Sequence, residues 1–216
     1  MNRYQYKDLI IEVFDDPIYS FNSTDNKVNY SKCYFGKDAR EYHTSKHGII
    51  IRRGNQEISS CLVVGSGGAT GIYQRSTLVD KDELLICCCD TIFCLTIPNL
   101  DIKWNVQADK VTCFELYKLQ NDYIIYGECQ ITRITCDGQI KWQFDGDDIF
   151  VSLYDDKVFK LEKDHIKLTD FGRTKYNIDF DGKLMKEGSK QMINQEKTST
   201  LVRFGWNWWQ KLFINL

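Results

Sequence analysis

The run from Val111 to Phe144, VTCFELYKLQNDYIIYGECQITRITCDGQIKWQF, decides the fold. Apolar-rich segments fall at about 111–118, 122–127, 130–135 and 139–144. Leu119-Gln120-Asn121, Glu128-Cys129 and Cys136-Asp137-Gly138 separate them as short polar or glycine-bearing links. The pattern within the segments has the period of strands. Links this short join only neighbouring antiparallel strands, so the stretch predicts a four-stranded meander.

The same plan extends in both directions. Upstream, strands are expected at Ser76–Val79, Leu84–Cys89, Thr91–Thr96 and Asp101–Val106. Downstream, they are expected at Ile149–Leu153, Lys157–Leu161, His165–Thr169 and Thr174–Ile178. Fourth strands align on an aromatic residue: Ile102-Lys103-Trp104, Ile140-Lys141-Trp142 and Thr174-Lys175-Tyr176. Trp104 and Trp142 stand 38 residues apart and Tyr176 follows 34 later, near the period of a four-stranded propeller blade. An N-terminal unit, 1–64, is less regular. Its strands are expected at Leu9–Phe14, Ile18–Phe21, Ile49–Arg52 and Ile58–Val64, with a polar excursion from Asn22 to Lys46.

Strand, turn, strand, then a turn and an aromatic residue on the last strand resembles the blade repeat of quinoprotein-type (PQQ/WD40-type) β-propellers. Gly138-Gln139-Ile140-Lys141-Trp142 fits that repeat closely. The chain is similar to small bacterial proteins that carry a few such repeats, and the resemblance covers about residues 47–182. It implies an all-β, small or incomplete propeller-like domain over 1–182. It brings no quinone-binding or metal-binding residues with it. Propellers close with roughly four to eight blades, so a small closed ring and an open stack of sheets both fit.

The remainder, 183–216, reads as an aromatic and basic tail packing on that domain. Val202, Trp206, Trp209, Phe213 and Leu216 have amphipathic-helix spacing, whereas Val202 to Trp208 also alternates as an edge strand would. From Lys183 onward six Lys or Arg face two Asp or Glu, a local charge of +4 on a chain of net −2. The body is therefore acidic, which argues against nucleic-acid binding, since that rests on clustered positive charge.

No stretch approaches the roughly 18 apolar residues of a membrane span, and the N-terminus lacks the apolar run of a signal peptide. Nine cysteines include the consecutive Cys87, Cys88 and Cys89. Neighbours on a strand point to opposite faces, so a neat disulfide framework is not expected. Reduced thiols in the cytoplasm are the simplest reading.

Candidate sites are few. Gly65-Ser66-Gly67-Gly68-Ala69-Thr70-Gly71 follows an apolar strand, but the helix that a phosphate cradle needs does not follow. Gly65, Gly67, Gly68 and Gly71 therefore read as a tight loop between units that keeps a ligand-contact role open. His43 and His47 are four residues apart without a zincin glutamate, and read as solvated loop histidines. Carboxylates such as those of Asp145-Gly146-Asp147-Asp148 and Asp179-Phe180-Asp181-Gly182 read as solvated turn residues without the ligand series of a calcium loop. No cofactor or metal is expected. Trp206, Trp208 and Trp209 with Arg203 form the candidate partner anchor if exposed, and core if covered. The expected function is a non-catalytic protein–protein interaction module, not an enzyme, in specific form a bacterial toxin-immunity-type protein. The alternative is a small-ligand binder or enzyme near the Gly65–Gly71 loop.

Overall fold

A computed structural model describes residues 1–154 and 157–185. The deciding stretch folds as expected into a meander of β10 (Cys113–Leu119), β11 (Asp122–Gly127), β12 (Gln130–Ile134) and β13 (Ile140–Asp145), paired antiparallel in that order. Before it lies a second, of β6 (Thr77–Asp80), β7 (Glu83–Cys88), β8 (Thr91–Thr96) and β9 (Ile102–Gln107). After it come β14 (Phe159–Leu161), β15 (Ile166–Thr169) and β16 (Lys175–Ile178).

The first sheet holds β1 (Asn2–Tyr6), β2 (Leu9–Asp15), β3 (Lys32–Phe35), β4 (Ser45–Arg53) and β5 (Gln56–Gly65) in the order β1-β2-β4-β5-β3. It is a fourth meander, β1-β2-β4-β5, with residues 16–44 inserted between its second and third strands. The insertion returns β3 to the outer edge, parallel to β5. Two expectations fail here. Ile18–Phe21 is a turn rather than a strand, because its rings pack on the sheet face instead of pairing in it. The polar excursion contains a strand, β3, and β1 precedes the first expected one.

Successive sheets stack face to face. Ile11, Ile49 and Val63 of the first meet Leu84, Ile86 and Phe93 of the second. Leu85, Cys87 and Ile92 on the second sheet's other face meet Tyr123, Ile125 and Ile134 of the third. Ile124 and Ile131 then meet Phe159, Ile166 and Ile178 of the fourth. Central sheets are thus buried on both faces, which explains the unbroken apolar run Leu84–Cys89. Cys87 serves one core and Cys88 the other, while Cys89 turns the chain at φ +55°.

A repeated clasp fixes each sheet to the next at its outer edge. The Trp104 indole Nε1 donates to the Cys136 carbonyl at 3.0 Å, and that of Trp142 to the Phe180 carbonyl at 2.9 Å. Each ring lies on a glycine of the turn it grips, Gly138 or Gly182, at φ +81° and +78°. Between the first two sheets Tyr34 of β3 does the same work, its hydroxyl donating to the Leu100 carbonyl at 2.9 Å. Leu100 has φ +56°, the counterpart of the two glycines.

These turns also correct the expected repeat alignment. Asp179–Gly182 follows β16 as Thr135–Gly138 follows β12, so β16 is a third strand and Leu184, bridged to Ile178, begins the fourth. Tyr176 is therefore not equivalent to Trp104 and Trp142. Its hydroxyl instead donates to Asp170 Oδ2 at 2.7 Å and accepts from the Asp147 backbone N–H at 2.8 Å. Likewise 149–153 is not a strand but part of the crossover into the fourth sheet, and Phe150 from it is fully buried.

Both ends of the stack are finished with polar groups. The first sheet's outer face is covered by the insertion, with Tyr19, Phe21, Tyr30 and Ala39 on Leu62 and Val64. The fourth sheet turns Lys160, Lys167 and Lys175 to solvent, with Glu162 Oε1 at 2.7 Å from Lys160 and 3.3 Å from Lys167. Among the described residues no shared core joins the fourth sheet to the first. The protein is an incomplete, propeller-like arc of four sheets.

Candidate functional site

Meander geometry sorts the loops by end. The links 7–8, 54–55, 81–82, 97–101, 120–121, 135–139 and 179–182 lie at one end of the arc. The crossovers between sheets and the turns between second and third strands meet at the other. Most buried polar side chains sit at this crossover end.

Next to the first crossover, His47 is fully buried on β4 rather than solvated, because its strand extends further toward this end than expected. Its Nδ1 lies 2.9 Å from Asp15 Oδ1, and its Nε2 lies 3.1 Å from the Thr70 hydroxyl. Thr70 Oγ1 accepts the Cys89 backbone N–H at 2.9 Å. Asp15 also accepts the Ile72 N–H at 3.0 Å. Burial raises the Asp15 carboxyl, but His47 and that N–H outweigh it and hold the group below its ordinary value.

The expected glycine loop runs alongside. A Cβ at Gly65 would come 2.5 Å from the Cys88 carbonyl, at Gly67 2.5 Å from the Val111 carbonyl, and at Gly68 2.0 Å from Thr112 Oγ1. Only Gly67 among the four has positive φ, +111°. Three of these glycines therefore allow the loop to pass between sheets, whereas Gly71 meets only Asp15 Oδ2, at 3.7 Å.

Further along the arc lies a line of acids that does not match the expectation of solvated turn carboxylates. Asp90, Asp109, Glu128 and Asp170 are 2–6 % exposed. They are buried because they bind the turns together from beneath. Asp109 accepts the backbone N–H groups of Val111, Thr112, Cys129 and Gln130 at 2.7–2.9 Å, joining the second crossover to the third sheet. Burial pushes the carboxyls of Asp90, Asp109 and Glu128 up, and the charge of Asp109 adds to the rise at Asp90 and Glu128. Glu128 Oε2 and the Thr112 hydroxyl are buried without a well-directed hydrogen-bond partner.

Over these acids Asp145, Asp147 and Asp148 are exposed. Beside them lie three exposed apolar side chains, Leu153 at 55 %, Tyr154 at 67 % and Phe171 at 43 %. The Phe171 N–H donates to the Ile149 carbonyl at 2.7 Å, which ties the 170–173 turn to the crossover, and Arg173 stacks over Tyr154 at 4.6 Å. Sequence reasoning missed this patch because it read 149–153 as a strand and placed Tyr154 and Phe171 in separate links, with nothing local to bring them together.

A cleft of about 450 Å³ also opens between the outer strands β3 and β9, lined by Tyr34, Phe35, Asp38, Arg40, Glu41 and Asn105 among others. Arg40 stacks on Phe35 there at 4.2 Å. All nine cysteines are free thiols, and burial raises Cys33, the exposed one, to about 11. Among the described residues no three His, Cys, Asp or Glu side chains are placed to hold a metal ion, and no helix is long and apolar enough to cross a membrane. Arg203, Trp206, Trp208 and Trp209, the expected partner anchor, lie outside the described residues.

No family model matches the chain, and no curated protein matches it. Among solved structures it is similar in fold to a chain from S. cerevisiae Dbp5 variant bound to Nup159, a Gle1 variant, IP6 and ADP. That match has 10 % identity and a TM-score of 0.42 and covers 85 % of this chain and 50 % of the other, so this chain spans half its length. BamB from Moraxella catarrhalis aligns over 85 % of this chain and 86 % of its own at 9 % identity and a TM-score of 0.30. The class of protein is thus set by its own sheets, as all-β and propeller-like.

Proposed function

We propose that the chain is a non-catalytic protein-interaction module that presents its crossover end to a partner protein. The observation that carries this reading is the group Leu153, Tyr154 and Phe171, left in solvent on a turn and a crossover tied together by backbone hydrogen bonds. Large apolar and aromatic side chains grouped on a surface are characteristic of binding sites. The test is a pull-down with the intact protein and with a triple variant, Leu153→Ser, Tyr154→Ser, Phe171→Ser. A stoichiometric protein partner retained by the first and lost by the folded variant supports the reading, and no such partner for the intact protein refutes it.

In its specific form the partner is a bacterial toxin that the chain neutralises in the cytoplasm. The small size, the acidic body and nine free thiols support that form. Co-expression with a toxin from a neighbouring gene tests it, growth rescue being the expected outcome.

A second reading keeps a small ligand beside Gly71, where an added Cβ would meet only Asp15 Oδ2 at 3.7 Å and the Asp15–His47–Thr70 line ends. A thermal-shift screen of metabolites against the intact protein and Thr70→Val tests it. A compound that raises the melting point of the first alone supports this reading.

A further inference from the structure

The crossover end carries charge as well as apolar surface, and this bears on what it binds. Asp145, Asp147 and Asp148 are exposed beside Leu153, Tyr154 and Phe171. At the same end stand the buried acids Asp90, Asp109 and Glu128, with Asp109 close enough to raise the proton affinity of the other two. Glu128 is 6 % exposed and faces the Thr112 hydroxyl without a well-directed hydrogen bond to it. Lys110 contacts Asp145 at 2.6 Å and Arg173 covers Tyr154, while Lys157 and Lys175 stand exposed nearby. Among the described residues around the third and fourth sheets at this end, Asp109, Glu128, Asp145, Asp147, Asp148 and Asp170 still outnumber those four cations, and the buried acids add their field through low-dielectric protein.

Resting on the interaction reading above, we infer that the crossover end docks a cationic protein segment. Its Lys or Arg side chains meet Asp147 and Asp148 while an apolar residue seats on Leu153, Tyr154 and Phe171. A cation arriving there relieves repulsion among carboxylates that have too few counter-charges of their own, so complementarity favours a basic partner over a neutral or acidic one. The apolar group supplies affinity, and the acids supply selection and rate of encounter.

The experiment selects a random 12-residue peptide library displayed on phage against the full chain and measures the enriched peptides by fluorescence anisotropy. Enriched sequences are expected to combine Lys or Arg with aromatic or aliphatic residues. Asp147→Asn with Asp148→Asn is expected to weaken their binding about tenfold at low salt, with a smaller loss at high salt. Asp137→Asn, on a turn at the opposite end, is expected to leave binding unchanged. Peptides that bind at Leu153, Tyr154 and Phe171 but carry no excess of basic residues, or that ignore the double variant, overturn the inference and leave the interaction reading standing. An absence of any peptide sensitive to Leu153→Ser with Phe171→Ser overturns both.

Discussion

The clasp between sheets makes a quantitative prediction at Gly138. Alanine there must hold φ +81°, which costs about 1–2 kcal/mol for a residue with a Cβ. The new Cβ would also lie 2.6 Å from Trp104 Cδ2 and 2.7 Å from Cγ, against an ordinary contact nearer 3.5–4 Å. The ring must lift by most of an ångström, which strains its rotamer and loosens the 3.0 Å bond from Nε1 to the Cys136 carbonyl. Those two effects cost about 1–2 kcal/mol together. The expected total for Gly138→Ala is about 3 kcal/mol. Gly54 is the control, since it has φ +58° and an added methyl would meet nothing within 4 Å, so Gly54→Ala carries only the backbone cost of about 1 kcal/mol. Urea unfolding followed by far-UV circular dichroism measures both. In melting temperature the difference is roughly 4–8 °C for a chain of this size. In a Trp104→Ala background the clash disappears, so Gly138→Ala should fall to the Gly54→Ala value, a coupling of about 2 kcal/mol. Equal costs at Gly138 and Gly54, or a Gly138→Ala cost that persists without the Trp104 ring, would refute the clasp.

Other expectations follow from the same contacts. Tyr34→Phe deprives the Leu100 carbonyl of its donor and the Ile102 N–H of its acceptor, and should cost about 1–2 kcal/mol in the same assay. Asp109→Asn replaces an acceptor of four backbone N–H groups with a side chain that is half donor, and should destabilise by about 2–4 kcal/mol. Asp90, Asp109 and Glu128 have raised carboxyls, so their contribution is full below their ordinary values and is lost as pH rises through the folded values. Asp15, Asp80 and Asp122 are lowered, so theirs holds above 3.8 and is lost only in stronger acid. Melting temperature should therefore fall as pH rises from the ordinary carboxylate range through the folded values of these three groups, and Glu128→Gln should reduce that fall; an unchanged fall would show that Glu128 does not contribute. A thiol reagent should reach at most Cys33, Cys129 and Cys136 in the folded protein and all nine cysteines after unfolding.

The second and third sheets were legible in the sequence because short apolar-rich runs are joined by short polar links, and three strands of the fourth were placed, though out of order in the repeat. Cys113–Leu119 through Ile140–Asp145 fall within two residues of where the pattern puts them. The first sheet was harder to read because its second and third strands are separated by residues 16–44, and β3 takes its place in the sheet only through non-local pairing with β5. Tyr176 was misplaced because Lys175-Tyr176 imitates Lys141-Trp142. The better marker was the turn, since Asp-Gly at 137–138 recurs at 181–182.

The candidate site was less legible for a physical reason. Side chains such as Asp90, Asp109 and Glu128 have the sequence context of ordinary turn acids, and their burial comes from neighbouring sheets rather than from local pattern. Leu153 likewise reads as the end of a strand until the crossover is seen to leave the sheet, and Phe171 as an ordinary turn residue. These facts share a cause in the open arc. A closed ring brings its blades round a common axis, and binding there depends on that axis. In this chain the stack begins on a face covered by residues 16–44 and ends on a face of lysines. Among the described residues neither face offers an open apolar surface on which another sheet could add. The outer edges are held by Tyr34, Trp104 and Trp142. Among the described residues Leu153, Tyr154 and Phe171 are exposed at the crossover end beside the fourth sheet, which is where the proposed basic partner would seat.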